Sequence, residues 1–278
     1  MMRKLKTAAA VCALLIAVMA CKSQYEVLLS SNDVDAKYNA AMTFFNNKKY
    51  LKAAQLFESM AVLTSGTARD DTVQYYWGLS NYRNKDYFTA ESNFARFIQN
   101  FPRSPFTQDA EFYRLDCLYR ATYRWELDQL PTRSCMAAIT EYMREHQGDD
   151  AHLQACQNML LDLQDRLDRK DFEAGRQYYR MEDYPAARVK LHNVLKNNAD
   201  NFYREDVLYY TAMSSYHYAR LSVWQKQKER YLTFVDDYLN FVGEYPESHY
   251  RKELDGLYRR VQRILGKDGT AEEEGNEK

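Results

Sequence analysis

Five histidines, three adjacent aspartate pairs and five cysteines are the groups with which this 278-residue chain could do acid–base, metal or nucleophilic chemistry. His146, His152, His192, His217 and His249 are dispersed, and none has the HExxH spacing that puts two imidazoles on one helical face around a zinc ion. Asp70-Asp71, Asp149-Asp150 and Asp236-Asp237 are neighbours in sequence. Neighbouring side chains on a helix diverge, so these pairs read as caps and first-turn charges rather than as carboxylates sharing a proton. Cys117, Cys135 and Cys156 lack CxxC spacing and fit small apolar core positions. With neither a glycine-rich phosphate loop nor a GxSxG, the residues point to a protein that is not an enzyme and carries no metal or cofactor. Nucleic acid is set aside too: 38 Lys and Arg against 39 Asp and Glu leave a net charge of −1, without the dense basic face that phosphates require.

The one cysteine placed for chemistry is Cys21. Arg3, Lys4 and Lys6 precede an apolar run from Thr7 to Ala20, too short to span a bilayer, and Val18-Met19-Ala20-Cys21 resembles a bacterial lipobox. That pattern implies a signal peptide over 1–20 and a lipidated N-terminus at Cys21, with a linker over 21–32. The chain would be held at a membrane by its N-terminal lipid. Lys22 follows instead of aspartate, favouring the outer membrane, and no acidic run argues for the cell surface, leaving the periplasmic face.

The elements that must position everything else repeat. Within Asp71–Pro102, Gly78, Tyr82, Tyr87, Ala90, Phe94 and Phe97 have the spacing of two helices folded back through a tight turn, a tetratricopeptide unit: small residues let the backbones approach, aromatics fill around them, and Pro102 stops the second helix. Ala41, Phe45, Tyr50, Ala53, Phe57 and Met60 repeat those offsets 37 residues upstream, and Gly175, Tyr179, Tyr184, Ala187, Leu191 and Val194 repeat them again. In all three the small residues lie twelve apart. Between the clear copies, Phe106–Arg124 and Thr132–His146 predict a modified unit with an enlarged turn, followed by a helix from Asp150 to Asp168. Arg204–Leu221 and Lys226–Glu244 predict a stretched last unit, and Tyr250–Leu265 a helix covering the end of the array. Tyr245-Pro246-Glu247-Ser248 echoes Phe101-Pro102-Arg103-Ser104, an aromatic-Pro-X-Ser helix stop used twice. The fold expected is all-α, an α-solenoid of about five tetratricopeptide-like helix pairs with a C-terminal capping helix. Its halves are 33–147 and 148–266, before a disordered acidic tail at 267–278.

With catalysis set aside, a binding surface is what remains. In this architecture the first helix of each unit lines an inner face, and repeat phase aims Tyr38, Met42 and Phe45, then Tyr75, Tyr76, Leu79, Tyr82 and Arg83, and later Phe172, Arg176, Tyr179 and Arg180 toward it. Aromatics interspersed with arginine are the residue types that dominate peptide hot spots.

A lipobox followed by about five such units and little else resembles the BamD family, the tetratricopeptide lipoproteins of the outer-membrane β-barrel assembly machinery (BAM complex). Glu126-Leu127-Asp128-Gln129, with Thr132, is similar to an Asp-Gln-containing stretch of that family; His146-Gln147-Gly148 departs from the aromatic-Pro pair that ends its third unit. The resemblance implies a non-catalytic scaffold whose N-terminal units receive the aromatic-ending C-terminal strand of unfolded outer-membrane proteins, Arg83 pairing with the terminal carboxylate. It also implies that the C-terminal units, with Arg176, Tyr179, Arg180, Arg188 and Tyr210, dock on periplasmic domains of the barrel-forming subunit. A tetratricopeptide lipoprotein coordinating peptidoglycan or other envelope processes is the alternative.

Overall fold

The computed structural model describes residues 24–148 and 150–276. Among them are twelve helices and no strand: α1 (Gln24–Ser30), α2 (Val34–Asn46), α3 (Tyr50–Thr64), α4 (Asp70–Arg83), α5 (Tyr87–Asn100), α6 (Thr107–Arg120), α7 (Leu130–Glu145), α8 (Asp150–Arg180), α9 (Tyr184–Asn197), α10 (Arg204–Arg220), α11 (Trp224–Glu244) and α12 (Arg251–Asn276). They pair in sequence as α2/α3, α4/α5, α6/α7, the end of α8 with α9, and α10/α11, with α12 packed after them. These are the five helix pairs and closing helix of the all-α fold expected from the repeats. Contacts divide the described residues into two compact units, the first running to Tyr123 and taking in Leu130–Met159, the second joining Arg124–Gln129 to the residues from Leu160 onward. The halves drawn from sequence meet at 147/148; the contacts divide instead within α8, a continuous helix of 31 residues, about 46 Å long.

In the first unit, Ala41, Ala53 and Ala90 are fully buried where paired helices meet, and Phe57, Met60, Phe94 and Phe97 fill the space beside them. A Cβ on Gly78 would lie 3.0 Å from Phe94, so the small residue does set how closely α4 and α5 approach. The turn joining each clear pair is the same. Lys48, Lys85 and Glu182 take left-handed φ values of 58°, 66° and 61°, and the following amides reach back five residues, as in Asp86 N to Asn81 O at 3.0 Å and Asp183 N to Tyr178 O at 3.0 Å. These are Schellman closures made without glycine. Asp86 and Asp183 then cap the next helix, accepting from Thr89 N and Ala186 N.

Both aromatic-Pro-X-Ser stops form as expected. Phe101 N and Tyr245 N close the preceding helix, on Phe97 O and Phe241 O, each at 2.8 Å, and the Ser104 and Ser248 hydroxyls accept from the amides of Phe106 and Tyr250. The segment taken as a linker differs: residues 24–30 are helical, held because the Tyr25 ring packs edge-on to Phe44 at 5.6 Å and lies under the Lys52 ammonium. Lys37, behind it, is 2% exposed; its ammonium donates to Leu29 O and Ser59 Oγ, both at 3.0 Å, and burial lowers its pKa.

In the second unit, Gly175 lies against Leu191, and Phe172, Leu191, Val194 and Val207 form one core. A larger core joins Tyr216, Tyr231, Phe234, Tyr238 and Phe241 to Leu254 and Val261 of α12. That helix continues to Asn276, past Leu265 and through residues assigned above to the tail. The enlarged turn of the third pair is tied down within this unit. Lys170 Nζ donates to the carbonyls of Trp125, Glu126 and Leu127 at 3.3, 3.3 and 2.8 Å, Gln129 Nε2 donates to Arg124 O and Leu127 O, and the Arg169 guanidinium lies 4.9 Å over the Trp125 ring.

Candidate functional site

In the first unit the surface is built by α2, α4 and α6, the first helices of their pairs. Successive first helices are joined by polar contacts spaced one repeat apart. Tyr75 OH donates to Asp109 Oδ2 at 3.3 Å and Tyr82 OH to Asp116 Oδ2 at 2.7 Å, each across 34 residues. The Arg69–Asp35 ion pair has the same separation, and Arg69 also lies 5.4 Å over the Tyr38 ring. Burial and the Asp116 carboxylate push the Tyr82 hydroxyl well above its usual range, so it remains a donor at any physiological pH. Asp116 is also paired with Arg120 Nε at 2.5 Å.

Of the eight residues expected to line a groove, six keep some exposure and two do not. Tyr38, Met42, Phe45, Tyr76 and Tyr82 are half-buried, and Arg83 is exposed. Phe45 meets Tyr76 edge-on at 5.3 Å, and Tyr82 packs on Tyr113 at 4.8 Å. The Arg83 guanidinium lies 5.9 and 6.0 Å from the Tyr82 and Tyr113 rings, with Nη2 3.5 Å from Tyr113 OH. It makes no ion pair among the described residues, unlike Arg114, held by Glu91 at 2.8 Å. Tyr75 and Leu79 are instead core, 5% and 7% exposed. Tyr75 stacks on Phe106 at 4.6 Å, because the next first helix arrives over it and removes it from the surface.

In the second unit, Arg176, Tyr179, Arg180 and Tyr210 lie together. Arg176 Nη1 pairs with Glu173 Oε1 at 2.8 Å and its guanidinium sits 5.6 Å over the Tyr210 ring, while Arg180 Nη2 reaches Glu173 Oε2 at 3.4 Å. Tyr179 packs against Tyr184, Tyr210 and His217, and burial pushes its hydroxyl up to about 12. Arg188, expected on the same docking surface, is an internal brace. Its Nε donates to Ser215 Oγ at 2.8 Å and Asp237 Oδ2 at 2.9 Å, and its Nη2 to Asp237 Oδ1 at 3.2 Å. The guanidinium is thereby engaged by α10 and α11, with its side chain still 30% exposed.

Sequence reasoning missed Asp168, 2% exposed, the hub of the second unit. Its carboxylate accepts from Gln164 Nε2 at 2.7 Å, Asn198 Nδ2 at 2.9 Å and Phe202 N at 3.0 Å. The Asp168–Phe202 separation is again 34 residues, so the repeat period was a usable signal. Cys21 lies outside the described residues. Among the described residues, no cluster of three His, Cys, Asp or Glu is arranged to hold a metal, and no helix is long and apolar enough to cross a membrane.

A model of the family described as YfiO, outer membrane lipoprotein, matches residues 30–232 of the chain. No curated protein matches it at a significant level. Two solved structures match the chain: the TPR2AB domain of yeast Sti1 in its pHSP90 complex (14% identity, TM-score 0.40, 82% of this chain and 98% of that one), and a TPR repeats protein from Bacteroides fragilis NCTC 9343 (15% identity, TM-score 0.40, 84% and 100%).

Proposed function

Because the chain belongs to the YfiO (BamD) family of outer membrane lipoproteins, we propose that it is a non-catalytic scaffold of the outer-membrane β-barrel assembly machinery, anchored through lipid on Cys21 and facing the periplasm. In this reading the first unit binds unfolded outer-membrane proteins and the second docks on periplasmic domains of the barrel-forming subunit.

The observation that carries the client reading is Arg83. An exposed guanidinium with no ion pair among the described residues stands at the edge of half-buried Tyr82 and Tyr113, beyond Phe45 and Tyr76. A peptide ending in an aromatic residue carries a ring and a terminal carboxylate together, and this edge offers a ring face for the first and a fork of donors for the second. For the partner surface, Arg176, Arg180, Tyr179 and Tyr210 supply a rim of aromatics and arginines, with Arg188 bracing the helices behind it rather than making contact.

The test is a titration of full-length protein with a peptide ending in Phe as the free acid or the amide. The acid is expected to bind at least tenfold more tightly, and Arg83→Ala to erase that difference while leaving amide binding unchanged. Equal binding of acid and amide to the natural protein removes the carboxylate reading. Two cellular experiments check the wider role. Cys21→Ser is expected to release the chain from membranes. Depletion is expected to lower many outer-membrane barrels at once; altered cell-wall growth with barrels intact would replace this role with envelope coordination.

A further inference from the structure

The connection from α10 to α11 carries an apolar tip that neither the helix pairing nor the proposed binding faces use. Leu221, Val223 and Trp224 are 64%, 66% and 79% exposed, three large apolar groups within four positions. The backbone beneath them is held firm. Leu221 N and Ser222 N close α10 on His217 O and Ala219 O, both at 3.1 Å, Ser222 Oγ donates to Tyr218 O at 2.5 Å, and Gln227 Nε2 donates to Ser222 O at 3.0 Å. Their exposure therefore belongs to an ordered turn.

Basic side chains surround it. Arg220 is exposed at the end of α10, and Arg230 is seated 3.9 Å over the Tyr218 ring, next to Ser222. Lys226 lies in the first turn of α11. The α12 helix runs alongside α10, joined to it by Tyr250 OH to Asp206 at 2.5 Å, Tyr209 OH to Glu253 at 2.9 Å and Arg260 Nη1 to Tyr216 OH at 3.3 Å, each 44 residues apart. That register brings Arg260 and the exposed Arg263 to the end of α10 where the tip lies. The acids in reach are Glu229, paired with Lys226 at 3.2 Å, and Glu182 and Glu253, which both act on His217 one turn before the tip.

We propose that this tip is a second membrane contact, in which Leu221, Val223 and Trp224 enter the headgroup–acyl boundary of an anionic phospholipid surface and the surrounding arginines and Lys226 face lipid phosphates. The turn exposes three large apolar groups, and a fluid interface takes them up without a matching shape. Tryptophan suits that boundary because its ring is apolar and its N–H wants a polar neighbour. Aliphatic groups ringed by Lys and Arg are the composition of a surface-seeking element. The inference uses only the membrane setting of the family and is independent of the client and subunit surfaces.

The experiment reconstitutes the full-length lipidated protein on vesicles of phosphatidylethanolamine and phosphatidylglycerol carrying brominated acyl chains, which quench tryptophan only within the bilayer. Quenching is expected in the natural protein and expected to fall at least threefold in Trp224→Phe, which retains Trp77 and Trp125. It is also expected to fall in Arg220→Glu/Lys226→Glu, in 0.5 M salt, and on vesicles of phosphatidylcholine alone. Equal quenching in the natural protein and Trp224→Phe, or indifference to lipid charge, overturns the proposal. So does a Trp224 that bromolipid never quenches but that becomes shielded when an envelope protein binds, which would assign the tip to a protein partner.

Discussion

Replacing Gly175 by alanine adds one methyl group where the end of α8 meets α9. A Cβ there would lie 2.6 Å from Leu191 Cδ2 and 2.8 Å from Leu191 Cγ. Leu191 is fully buried, so it has no solvent-facing space into which to rotate. Forcing an extra methyl into a packed core costs about 1–3 kcal/mol, while Gly to Ala in a helix interior returns about 0.8–1.0 kcal/mol. Because both contacts fall inside the distance real Cβ atoms keep, the upper part of the cost applies, for a net loss of about 1–2 kcal/mol. The other repeat glycine is less crowded: at Gly78 the nearest atoms are Phe94 Cε1 at 3.0 Å, Phe94 Cδ1 at 3.1 Å and Asn93 Cβ at 3.3 Å. There the two terms nearly cancel, leaving Gly78→Ala within about 0.5 kcal/mol of the natural protein. Gly256, inside α12, has nothing within 4 Å, so Gly256→Ala is expected to gain up to about 1 kcal/mol. Guanidinium unfolding followed by helical circular dichroism tests the order through midpoints at unchanged slope: Gly256→Ala above the natural protein, Gly78→Ala beside it, Gly175→Ala below. A Gly175→Ala variant as stable as Gly256→Ala would refute the claim that close approach of α8 and α9 requires glycine.

Other expectations concern buried polar groups in the second unit. Asp168→Ala leaves Phe202 N–H and the Asn198 amide without their acceptor and is expected to cost about 2–6 kcal/mol in denaturant unfolding, at about 1–3 kcal/mol per orphaned group; Asp168→Asn, which keeps one acceptor oxygen, should lose less, and equal losses would contradict this. Arg188→Leu strands the Asp237 carboxylate and is expected to destabilise by about 3 kcal/mol, whereas Arg188→Leu/Asp237→Leu should recover much of that, a coupling read from a double-mutant cycle. His217 is held below its usual pKa by burial, with Arg220 adding to the effect, and its Nδ1 has no hydrogen-bond partner. The unfolded chain therefore takes up the proton first, at about pH 6.5, and stability should fall as pH drops through that value. Unfolding midpoints at pH 7.5 and 5.5 check this; an identical drop in His217→Phe would show that another group is responsible.

Much of the array is written in local chemistry. Small residues twelve apart at Ala41/Ala53, Gly78/Ala90 and Gly175/Ala187 mark the helix crossings because only they permit close backbones, and the aromatic-Pro-X-Ser stops make the same hydrogen bonds both times. The turns were less legible: Lys48, Lys85 and Glu182 adopt left-handed backbone without the glycine or asparagine that usually announces it. The site was legible only as a face. Helical phase puts Tyr75, Tyr76, Leu79, Tyr82 and Arg83 on one side of α4, but whether a residue there is groove or core depends on how far the next first helix covers it.

Sequence alone thus determined the repeat and the helix pairing, which follow from residue spacing, and the family, which the whole run of units carries. Tertiary structure decided the fate of individual side chains. Phe106 covers Tyr75 from 31 positions away, Asp237 claims Arg188 from 49, and Asp168 collects donors from Asn198 and Phe202. Burial and pairing are set by which helix arrives alongside, and a period or a motif names the helix without saying what its neighbours will cover.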